Sequence, residues 1–229
     1  MCGRFTSATD ADDLVRFFAV EERKAAELPS SWNVAPTTEV YAVAEHDARR
    51  TLVSFRWGLV PHWADDPRIG SKLINARAET VASKPAFRDS LARRRCLIPA
   101  DGFYEWQRQA DGTRIPYFVR RVDGAPMALA GLWASWRDKG AQEPEWLRTC
   151  AIVTTNANDS LRPLHQRMPV VLEADAWDLW LDRDVSDADA LTALLLPADD
   201  DVVTAHRVST DVNNVRNDHP GLVEPSSAA

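Results

Sequence analysis

At 229 residues, 45% of them hydrophobic, the chain suffices for one sizeable core and is short for two. No run of about 18 apolar residues occurs, so no transmembrane helix is predicted, and the opening MCGRFTSATDADD lacks the apolar segment of an export signal, which implies a cytoplasmic protein. The net charge is −7, but seven aspartates against one arginine between 182 and 201 account for six of those charges; the bulk of the chain is neutral, which weakens long-range steering toward DNA without excluding a local basic groove.

In chain order, TDADDLVRFFAV predicts an amphipathic helix with Leu14, Phe17 and Phe18 on one face. EVYAVAE and RTLVSFRWG predict two strands, with His46 and Asp47 near the turn between them. The loop VPHWADDPRIGSK follows, then LINARAET. From residue 95 the pattern is strongly β: CLIPA, GFYEWQRQ, RIPYFVRRV and PMALAGLWASW. Asp111-Gly112 and Asp123-Gly124 separate these runs and predict type I′ hairpins, which need positive φ at both central residues. LRTCAIVTTNA is a further core strand, ADAWDLWLD and SDADALTALLL are late helices, and VVTAHRV is a closing strand. The expected fold is a single α+β domain over 1–222, its mainly antiparallel sheet curled into a barrel-like core with peripheral helices, followed by a flexible tail over 223–229.

Three widely spaced cysteines, Cys2, Cys96 and Cys150, argue against a disulfide framework, and neither CxxC nor HExxH suggests zinc. Cys96 and Cys150 lie in apolar strand-like runs and read as buried structural thiols. Cys2 differs: removal of Met1 would give it an amine and a thiol on adjacent carbons. At pH 7.4 roughly a quarter of an α-amine is unprotonated, against about a thousandth of a lysine. Such an amine attacks an aldehyde to give an imine, and the neighbouring thiol then closes a five-membered thiazolidine. On its own, Cys2 is equally the incidental residue after the start codon.

The ordered series MCGRFT, WNVAPT, RWGLVPHW, INARAET, CLIPADGFYEW and LHQRMPV resembles the SOS response-associated peptidase (SRAP) family, now viewed as abasic-site processing proteins. MCG also opens class II glutamine amidotransferases, but that pattern does not continue. The resemblance implies that Cys2, Asn75, Glu105 and His165 form the catalytic set, with no metal and no organic cofactor. It further implies covalent capture of abasic sites in single-stranded DNA, and thiol autopeptidase removal of Met1. Each residue suits such chemistry. An abasic sugar is mainly a closed hemiacetal, so an acid or base must help open it and move protons during imine formation. Glu105 alternates with Tyr104 and Trp106, so it faces away from both. His165 suits donation to the sugar oxygen, and Asn75 suits hydrogen bonding to the amine or sugar.

Arg4, Arg77 and Arg167 each follow a proposed catalytic position by two residues. In extended chain that spacing puts them on the same face, where guanidinium groups would grip phosphates. The competing reading pairs them with carboxylates such as Glu79. Arg93, Arg94 and Arg95 read as a solvated basic face. Trp63, at a loop edge, is the candidate for stacking on a base; Trp57 reads as core, and Ala64 stands where some family members carry a second aromatic. The expected partner is single-stranded DNA containing abasic sites, with the protein a monomer that joins the nucleoid at damage and touches no membrane. The rival readings are a cysteine peptidase or amidohydrolase acting in trans, and a non-covalent single-stranded DNA-binding module.

Overall fold

The computed structural model describes residues 2–140, 142–143 and 145–226. Strands β1 (Phe5–Ser7), β2 (Glu22–Arg23), β3 (Ser31–Val34), β4 (Glu39–His46) and β5 (Arg49–Trp57) form the first quarter, with helix α1 (Ala11–Phe17) after β1. Then come β6 (Asn75–Arg77), α2 (Arg88–Arg93), β7 (Arg95–Ala100), β8 (Gly102–Arg108) and β9 (Arg114–Arg121). The rest is β10 (Met127–Trp136), β11 (Leu147–Asn156), β12 (Arg167–Pro169), α3 (Ala174–Leu181), α4 (Ala188–Ala193) and β13 (Val203–Arg207). No helix among the described residues is long and apolar enough to cross a membrane.

The strands form two sheets. The smaller runs β13-β9-β8-β1-β3; the larger runs β12-β11-β10-β7-β4-β5-β2, with β6 added to β11. A short parallel pairing, Thr149 with Arg56 and Cys150 with Trp57, joins β11 to β5 and curls the larger sheet on itself. The result is the expected α+β domain with a curled sheet, without full closure into a barrel.

The larger sheet is buried on both faces. Cys96, Ile98, Cys150 and Ile152 point into a cluster between the sheets that also holds Cys2, Phe5, Trp57 and Phe103. Their neighbours Leu97, Ala151 and Val153 point the other way, against Leu14, Phe18, Trp177 and Trp180. Two-sided burial is why CLIPA and CAIV read as continuous apolar runs, and both internal cysteines are fully buried as expected. On the outer face of the smaller sheet, Tyr104, Phe118, Val208, Val212 and Leu222 make a third cluster. The segment after residue 222, expected to be loose, is tethered as far as Ser226: His206 Nε2 donates to Val223 O at 2.7 Å, and the Ser226 N–H to Arg207 O at 2.9 Å. Residues 227–229 lie outside the described residues.

Three local expectations are corrected. The left-handed pair of a type I′ turn occurs at Asp47 (φ 51°) and Ala48 (φ 56°), not at either Asp-Gly. At 111–112 only Gly112 has positive φ; Asp111 instead accepts from the Thr113 N–H at 2.9 Å, giving a longer hairpin with a glycine bulge. Asp123-Gly124 is not a hairpin at all, because β9 and β10 belong to different sheets. The third correction is Arg95, which is 3% exposed rather than solvated. It donates to the carbonyls of Leu91 and Trp180 at 2.6 Å each, of Val185 at 2.9 Å, and of Asp182. Those carbonyls belong to the ends of α2 and α3 and the chain just beyond, where backbone acceptors lack partners within the helix.

A close backbone contact sets the loop that leads to β6. Gly58 has φ +130°, and a Cβ there would lie 2.7 Å from Gly70 O, a backbone atom that cannot swing away. Gly58→Ala is therefore expected to cost roughly 1–3 kcal/mol through strain and overpacking. Urea melts would read it as a lower midpoint at unchanged slope; an unchanged midpoint would mean that the loop adapts freely.

Candidate active site

Cys2 is fully buried. It is drawn in by β1, which lies between β8 (Phe5 with Phe103, Thr6 with Gly102) and β3 (Phe5 with Val34). The Tyr104 N–H donates to Arg4 O at 2.9 Å, so the first residues run alongside β8. From the other sheet, Asn75 Nδ2 donates to Cys2 O at 2.8 Å. Asn75 itself is set at the start of β6, which pairs with Ile152 of β11. Just before it, Ile74 O receives both the Ile152 N–H at 3.0 Å and Trp57 Nε1 at 2.9 Å. Trp57 is thus core, as expected, and it also buttresses the strand that carries Asn75. The Asn75 Oδ1 atom is buried and has no hydrogen-bond partner among the described residues.

Glu105 is 4% exposed, a buried carboxylate beside a buried thiol. The alternation read from GFYEW holds: Phe103 joins the cluster between the sheets, while Tyr104 and Trp106 join the outer one. Burial and then the negative charge of Glu105 push the Cys2 thiol well above its ordinary range, against a smaller lowering by the Arg4 backbone N–H.

His165 stands just before β12. The Arg167 N–H donates to its Nδ1 at 2.9 Å. With Nδ1 accepting, the ring N–H falls on Nε2. Gln107, two residues beyond Glu105 on the same strand, donates to Pro163 O at 3.2 Å and ties the His165 loop to β8. Sequence reading passed over Gln107, although the period-two alternation that picked out Glu105 selects it as well.

The arginines take three different environments. The Arg77 side chain is exposed and makes no hydrogen bond or ion pair to another described residue, though its charge also acts on the Glu79 carboxyl. Arg4 is turned toward the outer cluster rather than along Cys2: its guanidinium donates to Val212 O at 3.0 Å and to Asn33 Oδ1, and lies 5.9 Å from the Trp106 ring centre. Arg167 reaches across β11 to Glu79, pairing with both carboxylate oxygens, and also donates to Thr154 O at 2.6 Å and Asn156 Oδ1 at 3.0 Å. That pairing holds the Glu79 carboxyl below its usual range. Trp63 is 44% exposed, with Nε1 donating to Pro85 O at 3.5 Å, while Ala64 is buried in a small cluster with Val60 and Trp136. Among the described residues no group of three or more His, Cys, Asp or Glu side chains is placed to hold a metal ion.

The family model described as SOS response associated peptidase matches residues 1–215. The chain belongs to that family. The SRAP chain is 40% identical over 225 residues to the abasic site processing protein YoqW of Bacillus subtilis, covering 98% of this chain and 99% of that one. It is 32% identical over 232 residues to the abasic site processing protein YedK of Escherichia coli, covering 98% and 100%. It is 32% identical over 267 residues to the abasic site processing protein HMCES of Gallus gallus, covering 98% and 78%. Among solved structures, a protein from Bacteroides thetaiotaomicron superposes with a TM-score of 0.87 at 25% identity, over 99% of the SRAP chain and 100% of its own.

Proposed function

We propose that this SRAP chain processes abasic sites in DNA by covalent capture, through a thiazolidine formed between Cys2 and the ring-opened sugar. The observation that carries the reading is the enclosure of Cys2, with Asn75 bonded to its carbonyl and Glu105 beside its thiol. A peptidase acting in trans needs a thiolate with a depressed pKa; here the surroundings push the thiol the other way. The first nucleophile is then the α-amine, exposed once Met1, which lies outside the described residues, has been removed. That removal is part of the proposal, whether by the chain's own thiol or by another enzyme.

As the hemiacetal opens, its C1–O ring bond breaks, His165 Nε2–H protonates the ring oxygen, and the C1 hydroxyl gives up its proton, by way of water, to restore the His165 N–H and leave the aldehyde. The Cys2 amine adds to the aldehyde carbon, and loss of one water leaves an imine. The thiol sulfur then bonds to the imine carbon, its proton passing by way of Glu105 to the imine nitrogen. The adduct is the sum of protein and DNA less one water. Asn75 holds the Cys2 backbone so that amine and thiol approach the same carbon. Exposed Arg77 and Trp63 are assigned to the strand, by phosphate contact and by stacking. Arg167 is assigned to the same phosphate track, whereas Arg4, bonded to Val212 O and Asn33, is given no strand contact. A single strand suits a surface whose basic side chains are few.

Intact-protein mass spectrometry tests this directly. Protein mixed with an oligonucleotide bearing one abasic site is expected to gain the oligonucleotide mass less 18 Da, the mass of one water lost in ring closure. An undamaged strand, or Cys2→Ala protein, is expected to give no adduct. If Met1 is absent and the damaged strand still adds nothing, covalent capture is wrong.

A further inference from the structure

Arg167 differs from Arg77 in already having an anion. Glu79 occupies both terminal nitrogens of its guanidinium, and Asn156 Oδ1 and Thr154 O take their remaining hydrogens. Only Nε is left, and it is buried without a partner among the described residues. The Arg167 side chain is 13% exposed, while Glu79 is 45% exposed and so faces any strand laid along Arg77. A phosphate approaching this position meets a like charge first, and must displace that carboxylate to reach the guanidinium fork.

We propose that Glu79 is a resident counter-ion which DNA must exchange for a phosphate before Arg167 takes up the strand. It is a positioning residue that weakens the binding of intact single strands. An abasic strand offsets the exchange with a covalent bond at Cys2, whereas an undamaged strand gains nothing to offset it. The carboxylate thereby sharpens discrimination by opposing the wrong ligand rather than by favouring the right one. The inference rests on the proposed function, in that it places the strand against Arg77 and Arg167.

The test is non-covalent binding of an undamaged oligonucleotide across a salt series. Glu79→Gln is expected to bind about two- to fivefold tighter at low salt, the size of one exposed charge pair. The slope of log K against log salt is expected to steepen by about 0.7, the value of one further phosphate contact on a single strand. Both changes are expected to vanish when Glu79→Gln is made together with Arg167→Gln. Glu79→Ala is expected to move in the same direction. Weaker binding, an unaltered slope, a gain that survives Arg167→Gln, or unfolding of the Glu79 variants would each overturn the proposal and make Glu79 a scaffold residue. Adduct formation by the unmodified protein on an abasic strand, measured in parallel, separates the two ideas: its absence condemns covalent capture, whatever the intact-strand comparison shows.

Discussion

Replacing Glu105 with glutamine is expected to slow formation of the abasic-site adduct by about 10²–10⁴-fold, the usual contribution of a positioned acid–base group. The carboxylate is nearly isosteric with the amide, and Glu105 sits within the β8–β9 pairing opposite Tyr117, so the sheet should survive the change. What is lost is the group that carries a proton from sulfur to nitrogen as the ring closes. The substitution also removes a charge that raises the Cys2 thiol, so the thiol is expected to titrate lower in the variant while burial still holds it above its ordinary range. The two effects separate the roles. A thiol that ionises more readily should react faster if ionisation were limiting, yet adduct formation is expected to fall. Single-turnover denaturing gels would read the rate, and the pH profile of thiol alkylation would read the titration. A rate within a few-fold of the unmodified protein would remove Glu105 from the chemistry.

The second large effect is on stability. Arg95→Ala is expected to destabilise the fold by about 3–5 kcal/mol, because it leaves several buried carbonyls without a donor at once. The acceptors come from α2, α3 and the chain beyond α3, so one guanidinium fastens two helices to the start of β7. Arg95→Lys should recover only part of the loss, since an ammonium has three donors and no planar fork. Chemical denaturation measures both. A loss below about 1 kcal/mol for Arg95→Ala would mean that water replaces the guanidinium readily.

Arg95 also marks where sequence reading reached its limit. In RRRCLIPA its charge placed it with Arg93 and Arg94 on a solvated face, because nothing local reveals that carbonyls 85–90 residues away converge on it. Glu105 was legible for the opposite reason. Period-two alternation sets it on the face opposite Tyr104 and Trp106, and the GFYEW motif, through the family resemblance, marked that face as the one of interest. The longer strands were legible from their apolar runs, but the short strands β1, β2, β3, β6 and β12 were not, nor were the partners of the Asp-Gly turns, since sheet membership depends on pairings far along the chain. Arg4 shows the same limit. Two-residue spacing puts it on the face of Cys2 only if the chain is extended from the first residue, and its guanidinium instead turns to Val212 and Asn33. The bond between Asn75 and Cys2 spans 73 residues and has no signature except that both lie in recognisable motifs.

The enclosure of Cys2 has a consequence in time. β1 is held by β3 and by β8, and the second of these partners is not made until Phe103 has been synthesised. Until then the start of the chain trails free of its sheet. At roughly 5–20 residues per second that interval lasts about 5–20 s. Because Cys2 is fully buried in the finished sheet, an aminopeptidase that removes Met1 is expected to act within that interval. Mass analysis of ribosome-arrested chains ending before and after β8 would show on which side of that moment Met1 is lost, and so which agent cuts it.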